Sequence, residues 1–526
     1  MSNILAYQMG AYSETVKVKR NYRPAYWLSA ALLLLILQLA TGTEPIYASL
    51  VFVFAVLTYM AIKSVGGLYT LMGCAIFYLS LQQVLISQAA KVYFRQPGDS
   101  LLIRPIETIL VYNIAMAGMI AAGFVFTKLG FPKRKPLFHN ECDAQRLMWL
   151  SIITIICATV QTVYDGLATI NENGSGNIGG LRSMIHAFVF LTPLSISTTT
   201  AYTIIASQGR RSLGWFNGIA MFIPFVFGII SSVRAGMAAV VLIFYITCLA
   251  FGFRFRAVHF IVLLCGIYIA QFILFPYAVY ARAFTRSGHF EKNVNKAIDL
   301  LEDVVLNPGK YKELETRNYD RKQTKFFYYG HPYPTLDRMS MIILTDKFVD
   351  VTDMQGNTGM DTISPAFVFA VPRIFYPEKP FFSATTLLAH RIPDMVGKDD
   401  RTTGVSNSFI ADSFSSYGWV GAFVIPFIIA LCYLVLYRLM FLNYLSRNIL
   451  AVSLVWHFMY YYSEGPIAAQ IGEVTENVFL FFLGVLIMYR LVDFATLIQR
   501  RVRATRLRSY LGRQPIVSET ENASAA

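Results

Sequence analysis

Apolar residues in this chain come in long, nearly uninterrupted stretches. Twelve stand out, at about 27–42, 46–62, 67–90, 106–127, 147–169, 184–207, 214–232, 235–252, 258–281, 418–437, 448–462 and 475–492. A run near 20 residues crosses a hydrocarbon core of roughly 30 Å. The pattern therefore predicts an all-α polytopic membrane protein of about 12 transmembrane helices. Residues 1–26 form a tail before the first run, and 27–281 hold about nine helices. Residues 282–417 form one large polar loop, 418–492 hold about three more helices, and 493–526 make a basic tail with a disordered end. Stretches such as "MSMIILTDKFV" and "ISPAFVFAVPRIF" make the loop half-hydrophobic, so it is expected to be partly helical and to fold against the membrane domain. The N-terminal tail ends in Lys17, Lys19, Arg20 and Arg23, so the first run reads as a retained anchor and not a cleaved signal.

Composition agrees with this pattern. Of 526 residues 55% are hydrophobic and 14% charged, with a mean hydropathy of +0.50. The net charge of +14 would suit nucleic acid, but its distribution does not. One alternate set of loops, with both termini, holds 23 of the 45 Lys and Arg, and the short loops of the other set hold five. Positive charge marks the cytoplasmic side, which places both termini inside. The basic residues are then orientation signals and contacts to membrane lipids, not a nucleic-acid face. The long loop carries 17 Lys and Arg and 17 Asp and Glu, so it is electroneutral. Loops of that size are more often functional than tethers. The six cysteines include none in the loop and show no metal-type spacing. There is no GxxxxGK[ST] and no HExxH, so neither a phosphate-binding ATPase loop nor a zinc site is expected.

Candidate chemistry gathers at the outer ends of the runs. Arg234 in "ISSVRAGMAAV" sits in a tight reversal between two apolar helices. It is either a snorkelling arginine or, with small Ala235 and Gly236 beside it, an anion clamp able to grip phosphate bidentately. Arg282 and Arg286 in "YARAFTRSG" share a face if the helix continues, and either bind a phosphate or pair with loop acids. In "HPYPTLDRMSMIILTDKF" the Asp337–Arg338 pair reads as a local ion pair or helix start, or as a ligand arginine. "VPRIFYPEKP" presents Arg373 and Lys379 on a proline-stiffened extended ribbon, or is a structural crossing. In "RTTGVSNSFIADSFSSYGWVGAF", Asp412 lies about a turn outside the apolar run, and Gly418 and Gly421 favour close helix packing. Asp412 is a general base or a helix-start charge; on residue type alone the latter stands slightly ahead. His457 and Glu464 in "VWHFMYYYSEGP" are weaker ionisable candidates near the outer end of the eleventh run.

In order and membrane side these segments resemble the Wzy-type oligosaccharide repeat-unit polymerases, the bacterial O-antigen and exopolysaccharide polymerase family, which is related to the O-antigen ligases. "SSVRAG", "LDRMSM", "PRIFYPEKP" and "TTGVSNSFIADSFSSYGWVG" carry the likeness over roughly residues 214–440. The family's last motif usually has Glu where Asp412 stands, and Phe-Gly where Tyr417–Gly418 stand. The resemblance implies a GT-C-like, metal-independent glycosyltransferase of the bacterial inner membrane, needing no cofactor. It would polymerise undecaprenyl-diphosphate-linked oligosaccharide, with a chain-length regulator and a flippase as partners. It implies Arg234 and Arg373 as catalytic cations, Asp412 as base, and Arg282, Arg286, Arg338, Lys379, His390, Tyr417 and Glu464 as substrate-binding, with His390 and Glu464 as reserve bases. Two alternatives stay open: an O-antigen ligase, and a lipid-linked oligosaccharide flippase or secondary transporter. The transporter would place its ionisable groups at mid-bilayer.

Overall fold

The computed structural model describes residues 24–130, 143–171, 188–232, 234–284, 290–307, 327–330, 333–371, 376, 384–397, 399, 404–441 and 444–511. Among these residues regular structure is helical apart from a single bridge, Thr70–Tyr444. A helix stands at each predicted apolar run. They are α1 (Pro24–Ala40), α2 (Pro45–Ser64), α3 (Leu71–Tyr93), α4 (Pro105–Lys128), α5 (Ala144–Asn171), α6 (Leu191–Ala206), α7 (Trp215–Ile230), α8 (Arg234–Ala250) and α9 (Ala257–Ile269, continuing through Ala270–Leu274 to Phe275–Phe284). The polar loop contributes α10 (Phe290–Leu306), α11 (Pro334–Arg338), α12 (Ile342–Gln355), α13 (Ser364–Phe369) and α14 (Ala384–Arg391). The chain then returns as α15 (Phe409–Phe441), α16 (Ile449–Glu464), α17 (Ile467–Gly472) and α18 (Val478–Leu511).

Among the described residues seven helical stretches are long and apolar enough to cross a membrane, and the chain is a helical membrane protein. α1, α7 and the main part of α8 are apolar but shorter. The remaining two, α6 and α16, are 16 residues each, and their neighbours explain their polarity. Ser195, Ser197, Thr198, Thr199 and Thr200 of α6 are buried among other helices, so their hydroxyls need not meet hydrocarbon.

Backbone contact through glycine sets the tightest packing. A Cβ on Gly118 of α4 would stand 2.5 Å from the carbonyl oxygen of Phe423 in α15, and the α4–α15 pair is the most extensive helix contact. Gly118→Ala is therefore expected to cost about 1–3 kcal/mol. It should lower the unfolding temperature in detergent, whereas Gly218→Ala, with open space around it, should not. An unchanged melting curve for Gly118→Ala would refute the close approach.

Bonds between loops fall into two sets that match the two charge classes. In one, Leu445 N donates to Tyr69 O at 2.9 Å, Arg447 N donates to Ala250 O at 3.0 Å, and Arg146 pairs with Asp493 at 2.6 Å. In the other, Gly98 N donates to Thr43 Oγ1 at 2.8 Å and Tyr328 OH donates to Gly98 O. The long loop is tied to this second end by Asp346. Its oxygens each accept a backbone N–H at 2.8 Å, from Ile103 and Arg104, and a hydroxyl from Thr108 at 3.1 Å. Burial pushes the Asp346 carboxyl up and those donors pull against it. Arg104 adds ion pairs to Asp350 and Asp353 at 3.1 and 2.6 Å.

Candidate functional site

The second end of the bundle also holds a connected polar cluster that spans α3, α4, α12 and α16. In α3 the run "LQQVL" winds as a π turn, Leu81–Leu85, a geometry that often marks functional positions. From it Gln82 Nε2 donates to Glu464 Oε1 at 2.5 Å and to Arg338 O at 3.3 Å. Gln83 Nε2 donates to Ser463 O at 2.8 Å, and its Oε1 accepts from Tyr112, whose hydroxyl also meets Thr345 Oγ1 at 2.6 Å. Helices α3, α4, α12 and α16 are thus cross-tied at one level.

Arg338 closes the cluster. Its Nη2 lies 3.2 Å from Glu464 Oε2, with the arginine side chain 55% exposed and the glutamate 6%. Asp337 is not its partner: that carboxylate accepts Tyr333 N at 2.6 Å and caps α11, leaving Arg338 to reach across 126 residues of sequence. Tyr460 stands beside both Arg338 and Glu464.

Tyr460 also borders a cavity of about 350 Å³ among α5–α8 and α16, lined by Thr192, Pro224, Gly228, Gly236 and His457 among others. The wall is mostly aliphatic. His457 Nε2 is 3.0 Å from Glu473 Oε2, which also accepts from Asn477 Nδ2 at 2.6 Å. Glu473 opens a second π turn, Glu473–Asn477, between α17 and α18. Arg234 begins α8, two residues before the cavity-lining Gly236. The preceding turn is possible because Ser232 adopts φ +55, capping α7 in a left-handed conformation. The Arg234 guanidinium lies 5.7 Å from the Phe275 ring, which follows the third π turn, Ala270–Leu274.

Asp412 lies apart from this cluster and is fully buried. Its Oδ2 accepts the backbone N–H of Ile467 at 2.8 Å, the start of α17, and its Oδ1 accepts the Thr362 hydroxyl at 3.2 Å. It braces α15, α17 and the long loop. Nearby Arg391 donates to Ser415 Oγ at 2.8 Å and Gly356 O at 2.7 Å. Burial lowers the Arg391 pKa, and the charges of Asp361 and Asp412 oppose that shift. Tyr417 is exposed at a break in α15, where Gly418 takes φ +59, ψ −143, a backbone that requires glycine. Gly421 serves that break too: a Cβ there would fall 2.2 Å from Ser413 O, so the glycine pair lets the chain fold on itself and does not seat a second helix. His390 is exposed at the end of α14.

Of the residues singled out in the sequence, the structure joins Arg338 to Glu464 and puts Arg234 beside the adjoining cavity. Arg282 lies in Phe275–Phe284. Arg286, Arg373 and Lys379, with all of "VPRIFYPEKP" except Val371 and Tyr376, lie outside the described residues. Gln82, Gln83, Tyr460 and Glu473 were missed, although adjacent glutamines inside an apolar run are themselves a signal. Among the described residues no group of three His, Cys, Asp or Glu could hold a metal ion.

No curated protein and no solved structure matches the chain. The model of one family, Domain of unknown function (DUF8712), matches residues 106–440, from the start of α4 to the end of α15. The chain belongs to the DUF8712 family.

Proposed function

We propose that the chain is a glycosyltransferase that polymerises undecaprenyl-diphosphate-linked oligosaccharide repeat units at the outer face of the bacterial inner membrane. The observation that carries this reading is the half-exposed Arg338, braced by Glu464 and Gln82 next to Tyr460 of a mostly apolar cavity, with Arg234 two residues before Gly236 of its wall. An apolar hollow flanked by guanidinia suits a lipid tail joined to a diphosphate. In the reaction an acceptor sugar hydroxyl attacks the anomeric carbon of the donor glycan, the bond to the diphosphate oxygen breaks, and undecaprenyl diphosphate leaves. Arg234 and Arg338 neutralise the charge that develops on that leaving group, with Arg373 and Lys379 of the loop in the same role.

The acceptor proton needs a carboxylate. Asp412 is fully buried and ties α17 and the loop to α15, whereas Glu464 stands beside the half-exposed Arg338, so we assign the base to Glu464 and a bracing role to Asp412. The basic loops face the cytoplasm in this reading, with both termini.

The test is a gel of lipid-linked and surface glycans from a deletion strain complemented with wild type or Arg234→Ala. A ladder that collapses to one repeat in the deletion and in the variant, with the protein still in the membrane, supports the polymerase. Long lipid-linked chains that accumulate untransferred in the deletion would mean a ligase. An unchanged ladder would sink both.

A further inference from the structure

A second hollow, of about 600 Å³, opens at the opposite, basic end of the bundle. It lies where residues 207–214 join α6 to α7 and is lined by Tyr202, Thr203, Arg210, Arg211, Trp215 and Phe216 among others. Arg210 and Arg211 are exposed, and among the described residues neither guanidinium forms an ion pair. Leu213 and Trp215 are also exposed, at 57% and 69%.

The loop is built to hold this shape. Gln208 N donates to Ile205 O at 3.1 Å and Gly209 N to Ile204 O at 2.7 Å, closing α6 with Gln208 in a left-handed φ of +54. The Ser207 hydroxyl accepts from Arg211 N and donates to Arg211 O, both at 3.0 Å. Trp215 stacks on Phe216 with ring centres 3.7 Å apart. The backbone that carries both arginines and the ring of Trp215 are therefore set in place around the hollow before any ligand arrives.

Two unpaired guanidinia ask for an anion, and a fork geometry favours phosphate. An exposed Trp and Leu at the end of apolar helices ask for the boundary between headgroups and acyl chains. A free phosphate would meet the first demand and leave the second unmet. We propose that this hollow binds the phosphate diester of an anionic phospholipid, in the leaflet facing the basic loops. The inference is independent of the glycan reading.

The test titrates full-length protein in neutral detergent against acyl-labelled phosphatidylglycerol, read by anisotropy. The Arg210→Gln/Arg211→Gln variant should bind roughly thirtyfold more weakly than wild type, from two charges acting at a membrane surface. Trp215→Ala should weaken binding as well, and labelled phosphatidylcholine should bind poorly to all. Arg254→Gln/Arg256→Gln removes the same charge from exposed positions on a neighbouring loop of the same end and should bind like wild type. An equal loss in that control would show diffuse charge in place of a site and overturn the proposal. So would undiminished binding in the Arg210/Arg211 variant, or displacement of the lipid by millimolar inorganic phosphate.

Discussion

Arg338→Ala, present in the membrane at the wild-type level, is expected to yield single repeat units and no ladder, with Arg338→Lys recovering little. The reason is geometric. One nitrogen of the fork is held by Glu464 while half of the side chain stays exposed, so a planar guanidinium can grip a second anion. A lysine offers a point charge and cannot bridge the two. Removing Arg338 also strands the Glu464 carboxylate, which is 6% exposed and then keeps Gln82 as its hydrogen-bond partner. That strand effect is separated by the Arg338→Ala/Glu464→Leu double variant, which removes the stranded charge together with the carboxylate assigned as base. Stability should return in the double variant and chain growth should not. A restored ladder there would mean that Arg338 merely neutralises a buried acid, and the anion-clamp and base assignments would both fall.

The second large effect is one of stability. His457→Ala is expected to destabilise the protein by about 3–5 kcal/mol, because Glu473 would remain as a buried acid beside Asn477. The double variant His457→Phe/Glu473→Leu should recover most of that loss, since well-packed apolar residues often replace a buried pair without cost. Thermal unfolding of the wild type, His457→Phe, Glu473→Leu and their double variant in detergent gives the coupling energy. Additive losses would show that His457 and Glu473 do not support one another. If the apolar double variant is stable yet makes no ladder, the pair has a role at the cavity wall beyond holding α16 to the last helix.

The helices were legible because hydropathy alone decides them. Each apolar run became a helix, and prolines at 45 and 105 stand at helix starts, where a missing N–H costs nothing. The division of loops by charge was legible too, and loop-to-loop bonds follow it. The site was legible only in part. Arg234, Arg338 and Glu464 stood out as charges among apolar residues, but nothing in "LDRMSM" tells Arg338 to prefer Glu464 over Asp337 next door. That choice depends on Tyr333 N claiming Asp337. Asp412 was seen as a helix-start charge, which it is: it lies in the first turn of α15, and its carboxylate also accepts the first N–H of α17. Gly418 and Gly421 read as a packing pair because spacing cannot distinguish a helix contact from a chain break.

The π turns carry a consequence for how such a site is gained or lost. Each is an α-helix with one residue more than its winding can absorb, at Leu81–Leu85, Ala270–Leu274 and Glu473–Asn477. Deleting one residue from such a turn would restore regular winding and re-aim the side chains within the turn, while the helix beyond it keeps its orientation. Gln82 would then lose Glu464, or Glu473 would lose His457, while every helix kept its length and hydropathy. Single-codon insertions and deletions, silent to any reading of the apolar pattern, are therefore the changes that would separate relatives sharing this fold from relatives sharing its chemistry.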